Sequence, residues 1–335
     1  MKTSVKHLIV LSSISLILIL SAISCKNSVT GPAKVEDVTP GRRDYTWTVD
    51  TLIMHFCSLN ALWGSSPNDI WASGLGGGPP VWLLHYDGKK WTQYLKHGGL
   101  DCEGWSLFGF SQNDVWLGSQ DGEIYHYNGI EWSKNFTYKL KEKYKDIYIL
   151  SFYGDRPDDL YACGAIFYKS NVNETESQKG FILHYDGHSW SEVCKGEFNS
   201  QFLTIRKSNN KVFVLSLSIG LKSSAEDIIT IFELNGNSLK KVYSNNRTEL
   251  TWGNFDFFGD ELRFWIGRDV FVYNYNDYLG KGNLKKRFSI NEPNYNYYIF
   301  GRNDKDVFIS EIGGLAHYNG TDTQYLLKYP VTQYI

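Results

Sequence analysis

Leu62-Trp63-Gly64-Ser65-Ser66-Pro67-Asn68-Asp69-Ile70-Trp71 returns 45 residues later as Leu107-Phe108-Gly109-Phe110-Ser111-Gln112-Asn113-Asp114-Val115-Trp116. After another 45 it returns as Phe152-Tyr153-Gly154-Asp155-Arg156-Pro157-Asp158-Asp159-Leu160-Tyr161. A further copy runs Ile299-Phe300-Gly301-Arg302-Asn303-Asp304-Lys305-Asp306-Val307-Phe308, and worn copies surround Lys211-Val212-Phe213 and Leu262-Arg263-Phe264. A second phrase trails the first: His85-Tyr86-Asp87-Gly88 with Trp91, His126-Tyr127-Asn128-Gly129 with Trp132, and His184-Tyr185-Asp186-Gly187 with Trp190. His317-Tyr318-Asn319-Gly320 closes the series without its Trp. Self-similarity at such a period is the mark of a repeat architecture, and six units fit the chain.

Each unit parses into four short strands; in the second they are 105–108, 114–118, 123–127 and 131–136. Aromatic and β-branched residues fill them, while Asn, Asp and Gly fill the connections. Four strands per unit predict an all-β propeller of six four-stranded blades, with seven as the alternative. Tyr45, Trp47 and Val49 alternate with polar residues, which predicts a half-buried strand pairing with the last blade and helping to close the ring. The phrase Tyr-Asp-Gly-x-x-Trp resembles a degraded Asp-box hairpin of sialidase-like propellers. Over residues 58–329 the repeat is similar to secreted bacterial propellers grouped with kelch or galactose-oxidase central domains. That resemblance implies a fold and leaves the activity open.

The start of the chain reads as an address. Lys2 and Lys6 precede an apolar run from Leu8 to Leu20, and no acid occurs before Glu36, the layout of a signal peptide. Ala22-Ile23-Ser24-Cys25 resembles a bacterial lipobox, with Ala where Leu is usual. The resemblance implies cleavage after residue 24 and lipidation of Cys25, hence an exported protein held at a membrane by its N-terminal lipid. Lys26 follows where Asp would signal retention at the inner membrane, so the outer membrane is the expected destination. Residues 25–43 are polar, with Gly31-Pro32 and Pro40-Gly41, and read as a flexible tether. The propeller occupies 44–335.

Composition agrees. Phe, Tyr and Trp number 53 of 335 residues, enough for a large core and incompatible with a disordered chain. Lys and Arg total 34 against 36 Asp and Glu, a balance that offers nucleic acid no basic face.

Little in the chain points to catalysis. Asp69, Asp114, Asp159 and Asp306 repeat with the fold and are read as turn-capping residues. His85, His126, His184 and His317 also repeat, too far apart across blades to share an ion. No HExxH, CxxC pair or phosphate-binding glycine loop occurs, so neither metal nor cofactor is expected. With nine Arg in the chain, no sialidase arginine triad stands out. The expected function is a non-catalytic binding or scaffold module for a glycan or an envelope protein; the alternative is a hydrolase or lyase acting at the channel mouth. The long connections 75–81, 170–179 and 220–227 and the links between blades share one face. Loops free to grow on a rigid scaffold collect binding residues. Glu103, Trp105, Lys145, Arg247, Trp252 and Tyr297 on that face are the candidate contacts. Cys57 and Cys102 hold equivalent positions in adjacent units and could form a disulfide, whereas Cys163 and Cys194 are separated by a strand and should stay reduced.

Overall fold

Each copy of the first phrase folds as an antiparallel hairpin, and each copy of the second as a hairpin beside it. The structure, a computed structural model, describes residues 39–47 and 52 and, between 57 and 328, all but 77–82, 96–99, 101, 142–143, 169–176, 209, 219–227, 247–256, 259–261, 267–268, 275–282, 290–297 and 312–313. The expected leader 1–24, Cys25, most of the expected tether, Val49, Arg247, Trp252 and Tyr297 lie outside the described residues. The strands all fall in the unit Gly41–Ile335.

The first sheet is β1 (Cys57–Ser66), β2 (Asp69–Gly76), β3 (Leu83–Tyr86) and β4 (Trp91–Gln93), each antiparallel to the next. The same order repeats in β5 (Gly104–Ser111), β6 (Asp114–Ser119), β7 (Glu123–Tyr127) and β8 (Trp132–Thr137). The third sheet holds β9 (Asp146–Arg156), β10 (Asp159–Phe167), β11 (Gln178–Tyr185) and β12 (Trp190–Phe198). The fourth is β13 (Ser200–Ser208), β14 (Lys211–Ser218), β15 (Ile228–Asn235) and β16 (Ser238–Asn246). Then come β17 (Phe257–Phe258), β18 (Arg263–Ile266), β19 (Asp269–Asn274) and β20 (Asn283–Ser289). The last sheet is β21 (Tyr298–Asn303), β22 (Asp306–Glu311), β23 (Gly314–Tyr318) and β24 (Thr323–Lys328). Such four-stranded meanders, stacked through their faces, are propeller blades.

Five of these sheets are complete blades. The one led by β17 has an inner strand of two residues, which corrects the expectation of six or seven full blades. The repeat is shortest there: Gly259 stands three residues before Leu262, where Gly64 stands six before Ile70.

The core lies between sheets. Trp116, Ile147, Ile149, Phe152 and Leu160 join the second sheet to the third, and Trp71, Leu83, Val115, Leu117 and Trp132 join the first to the second. Smaller clusters follow the chain: Phe202, Ile205 and Val214 with Cys163, then Phe213 and Ile231 with Leu262, then Val270 with Val307 and Ile309. Close approach demands glycine: a Cβ on Gly109 would lie 2.6 Å from the Trp63 ring of the preceding sheet. The two ends of the series pack less completely. Leu62 is 65% exposed, where its repeat equivalent Phe152 is 3% exposed, and Phe300 is 50% exposed.

Residues 41–47 form a strap on the last sheet rather than the expected strand. Gly41 N–H donates to Asn319 O at 2.9 Å. Arg43 Nη1 lies 2.8 Å from Asp322 Oδ1, and its Nη2 donates to His317 O at 3.0 Å. Tyr45 packs on Phe308 and His317, with ring centroids 5.4 and 5.6 Å away. Phe308 and His317 are cross-strand partners, so the strap lies on the face of the sheet and extends no ladder at its edge.

The cysteine register follows the repeat. Ile182 pairs with Cys163 on one side and Cys194 on the other, and both remain buried thiols that donate to Phe202 O and Lys195 O at 3.5 Å. Cys102 is buried beside Tyr125, and the Cys57 side chain lies outside the described ones.

Candidate functional site: a cleft at the open ends of the inner strands

The repeated polar residues account for one another. His85 Nε2 meets Asp69 Oδ1 at 2.7 Å, His126 meets Asp114 at 2.8 Å, His184 meets Asp159 at 2.9 Å and His317 meets Asp306 at 3.0 Å. Each imidazole lies against the aromatic ring two residues after the aspartate, from 4.2 Å for Trp116–His126 to 4.7 Å for Phe308–His317. These aspartates therefore clamp β2, β6, β10 and β22 to their neighbouring strands, a correction to the turn-capping role expected for them. Turn capping falls one hairpin later. Asp87, Asn128, Asp186 and Asn319 each accept two backbone N–H groups through Oδ1 at 2.8–3.1 Å. The next residue is always a glycine in the left-handed region, with φ of 86–94°, where a side chain would be strained.

The open chemistry lies at the other end of the strands. A cleft of about 340 Å³ is lined by Trp105, Lys145, Asp146, Tyr148, Leu150, Phe167 and Gln201. The meander explains this gathering. Trp105 and Gln201 are second in β5 and β13, Asp146 opens β9 and Phe167 ends β10, paired with Asp146. In β9, Ile147, Ile149 and Ser151 turn into the core, which leaves Asp146, Tyr148 and Leu150 partly exposed. Tyr148 stands edge-on to both Trp105 and Phe167, at 4.9 and 5.2 Å. Such contacts hold large rings in fixed positions, each contributing about 0.5–1.5 kcal/mol beyond area burial.

The rim is acidic. Gln120 Nε2 donates to Asp146 Oδ1 at 3.0 Å. Asp121 next to it adopts φ 65°, unusual for a residue with a side chain. Burial, followed by the charges of Asp146 and Glu123, pushes the Asp121 carboxyl above its ordinary range. Burial also raises the Tyr148 hydroxyl, with Asp146, Glu103 and Asp121 adding to it and Lys145 opposing. Three carboxylates and one ammonium thus act on a single phenol.

Of the six predicted contacts, the structure brings Trp105 and Lys145 into the cleft and sets Glu103 within electrostatic reach of Tyr148. Asp146, Tyr148, Leu150, Phe167 and Gln201 escaped the sequence reading. Their signal was positional: most lie within the first few residues of an inner strand, on the side where large residues alternate with buried ones. Among the described residues, no three His, Cys, Asp or Glu side chains gather as a metal site would require.

No protein-family model and no curated protein matches the sequence. Solved structures match its shape. YCF48 bound to the D1 peptide aligns with a TM-score of 0.54 at 15% identity, covering 85% of this chain and 87% of that one. YCF48 from Cyanidioschyzon merolae aligns at 0.52 and 12% identity, covering 83% and 87%. Sqt1 from Saccharomyces cerevisiae is a looser likeness, at 0.45 and 11% identity, covering 82% and 85%. At these identities the likeness establishes the fold, and the chain shares the β-propeller fold of the YCF48 structures.

Proposed function

We propose that the chain is an exported, lipid-anchored, non-catalytic binding module. Its cleft at Trp105, Tyr148 and Phe167 takes an extended polypeptide segment that carries an apolar side chain beside a Lys or Arg. The observation that carries this reading is the pairing of fixed aromatic walls with an acidic rim at the open strand ends. Large rigid rings supply contact area with little loss of side-chain freedom. Acidic groups beside them favour a cationic neighbour and disfavour an acidic one. YCF48, a protein of the same fold, has been solved with a peptide bound, which fits a peptide ligand for this one. Anchoring rests on the basic start, the apolar run and Cys25, and the outer membrane on Lys26 after that cysteine.

Panning a displayed peptide library on the purified domain, beside a glycan array, tests the reading. Basic-apolar peptides should be selected, and Trp105→Ala should weaken them about tenfold or more, the loss of one anchoring ring, at a temperature where the variant is still folded, since losing the Tyr148 contact also lowers its melting temperature. Selection of glycans alone, or peptides indifferent to Trp105→Ala, would sink it.

A further inference from the structure

We infer that the cleft selects arginine over lysine in its polypeptide partner: Asp146 takes the guanidinium, and the aromatic wall of Trp105, Tyr148 and Phe167 packs against its plane. This deepens the binding-module reading and rests on it.

Asp146 is an exception among the partly buried carboxylates of this chain. Asp159 has Lys207, Glu233 has Lys211 and Asp269 has Lys286, with N–O distances of 2.5–2.7 Å. Asp304 has both Arg263 and Arg287, at 3.1 and 2.8 Å. Asp146 is partly buried as well, but its partner is the neutral amide of Gln120, which donates to Oδ1 at 3.0 Å. Among the described residues no Lys or Arg forms an ion pair with it. Partial burial without a counter-ion is costly for a carboxylate. Here the group is oriented by one hydrogen bond and its second oxygen, Oδ2, is left to accept another.

The strands aim it into the cleft. Asp146 pairs with Phe167 in the last rung of the β9–β10 ladder, and Lys145 N–H donates to Phe167 O at 2.7 Å just beyond. Alternation along β9 puts Tyr148 on the same face as Asp146, and direct pairing puts Phe167 there too. Gln201, from the next sheet, directs its amide N–H to Gln178. Its carbonyl oxygen is then a second acceptor in the same lining.

Acceptors beside fixed rings suit one cation better than the other. A guanidinium is flat, weakly hydrated and carries five donors in a rigid fork, so it can stack on a ring and bond acceptors in its plane together. A lysine ammonium is a compact, strongly hydrated charge and gains less from such a wall. The volume agrees. About 340 Å³ is at the small end of ligand pockets, which run ~300–1,000 Å³, room for one long side chain and its flanking backbone. Glu103 and Asp121 add negative charge around the Tyr148 hydroxyl, with Lys145 opposing, which disfavours an acidic residue in the same place.

The test titrates the full chain with acetyl-Gly-Leu-Arg-Gly-amide and with its lysine and citrulline counterparts, followed by peptide-detected NMR. The arginine peptide should bind about tenfold tighter than the lysine one, the margin of a charge-assisted, stacked fork over a point charge. Citrulline, of the same shape without the charge, should bind weakest. In Asp146→Asn, checked for folding by its melting curve, the arginine advantage should vanish. In Gln120→Ala, which releases the carboxylate from its orienting bond, the arginine-to-lysine ratio should narrow. Equal binding of arginine and lysine peptides to the native chain, lost together in folded Trp105→Ala, overturns this inference and leaves the peptide-binding cleft standing. An arginine advantage that persists in folded Asp146→Asn, or a ratio unchanged in Gln120→Ala, also overturns it. No binding of any of the three at millimolar peptide, or binding indifferent to Trp105→Ala, overturns the cleft reading and this inference with it.

Discussion

Asp306 carries more than its position in a repeat suggests. Burial works against its charge, yet hydrogen bonds from Arg302, His317 and Tyr45 outweigh that and hold the carboxyl below its ordinary range. Asp159 is held down in the same way by Lys207, at 2.5 Å, and His184. A carboxyl whose folded pKa is depressed contributes stability that is full above its unfolded pKa and is lost as pH falls through the folded one. Melting temperature measured from pH 7 downward should therefore hold until the carboxylate range and fall below it. Asp159→Asn should flatten part of that fall, and an unchanged acid limb in this variant would contradict the pairing. Gly164 makes the second prediction at this scale. A Cβ there would lie 1.8 Å from Tyr148 O, so Gly164→Ala must push β9 away from β10 at the cleft wall. It should cost about 2–4 kcal/mol in a denaturant titration. The existence of the aspartate and histidine ladders was plain in the sequence. Their pairing was not, because 11 to 25 residues separate each Asp from its His and only the strand register brings them together.

Elements were legible wherever the repeat is crisp. In the first three units and the last, turns rich in Asn and Asp, together with Asx-Gly turns, bound strands of aromatic and β-branched residues, and the strands fall where those signals put them. The strap was misread because alternation is a weak guide over a few residues: Tyr45 faces the sheet for its ring and hydroxyl, with no ladder partner beside it. That contact has a measurable weight. Tyr45→Ala removes the ring over Phe308 and one hydrogen bond to Asp306, and should destabilise the domain by about 1–3 kcal/mol. Tyr45→Phe keeps the ring and should recover most of the loss. Calorimetry of the three proteins checks this, and equal losses in both variants would place the weight on the hydroxyl instead.

For the whole molecule, the sequence carried the architecture because a blade cannot bury its faces alone, so the repeat that encodes one encodes the stack. The cleft was half legible. Trp105 and Lys145 stood out as large residues in a link between units, while Tyr148, Phe167 and Gln201 join them only through a meander that returns three sheets to one end. The proposed function puts a polypeptide partner at that end. In-cell photo-crosslinking tests this most directly, with a photoreactive residue at Gln201 in the cleft or at Asn113 on the turn face. The expected result is a discrete protein adduct from position 201 that Trp105→Ala abolishes, and none from position 113. Adducts from 113 alone, or a position-201 adduct that survives Trp105→Ala, would contradict it.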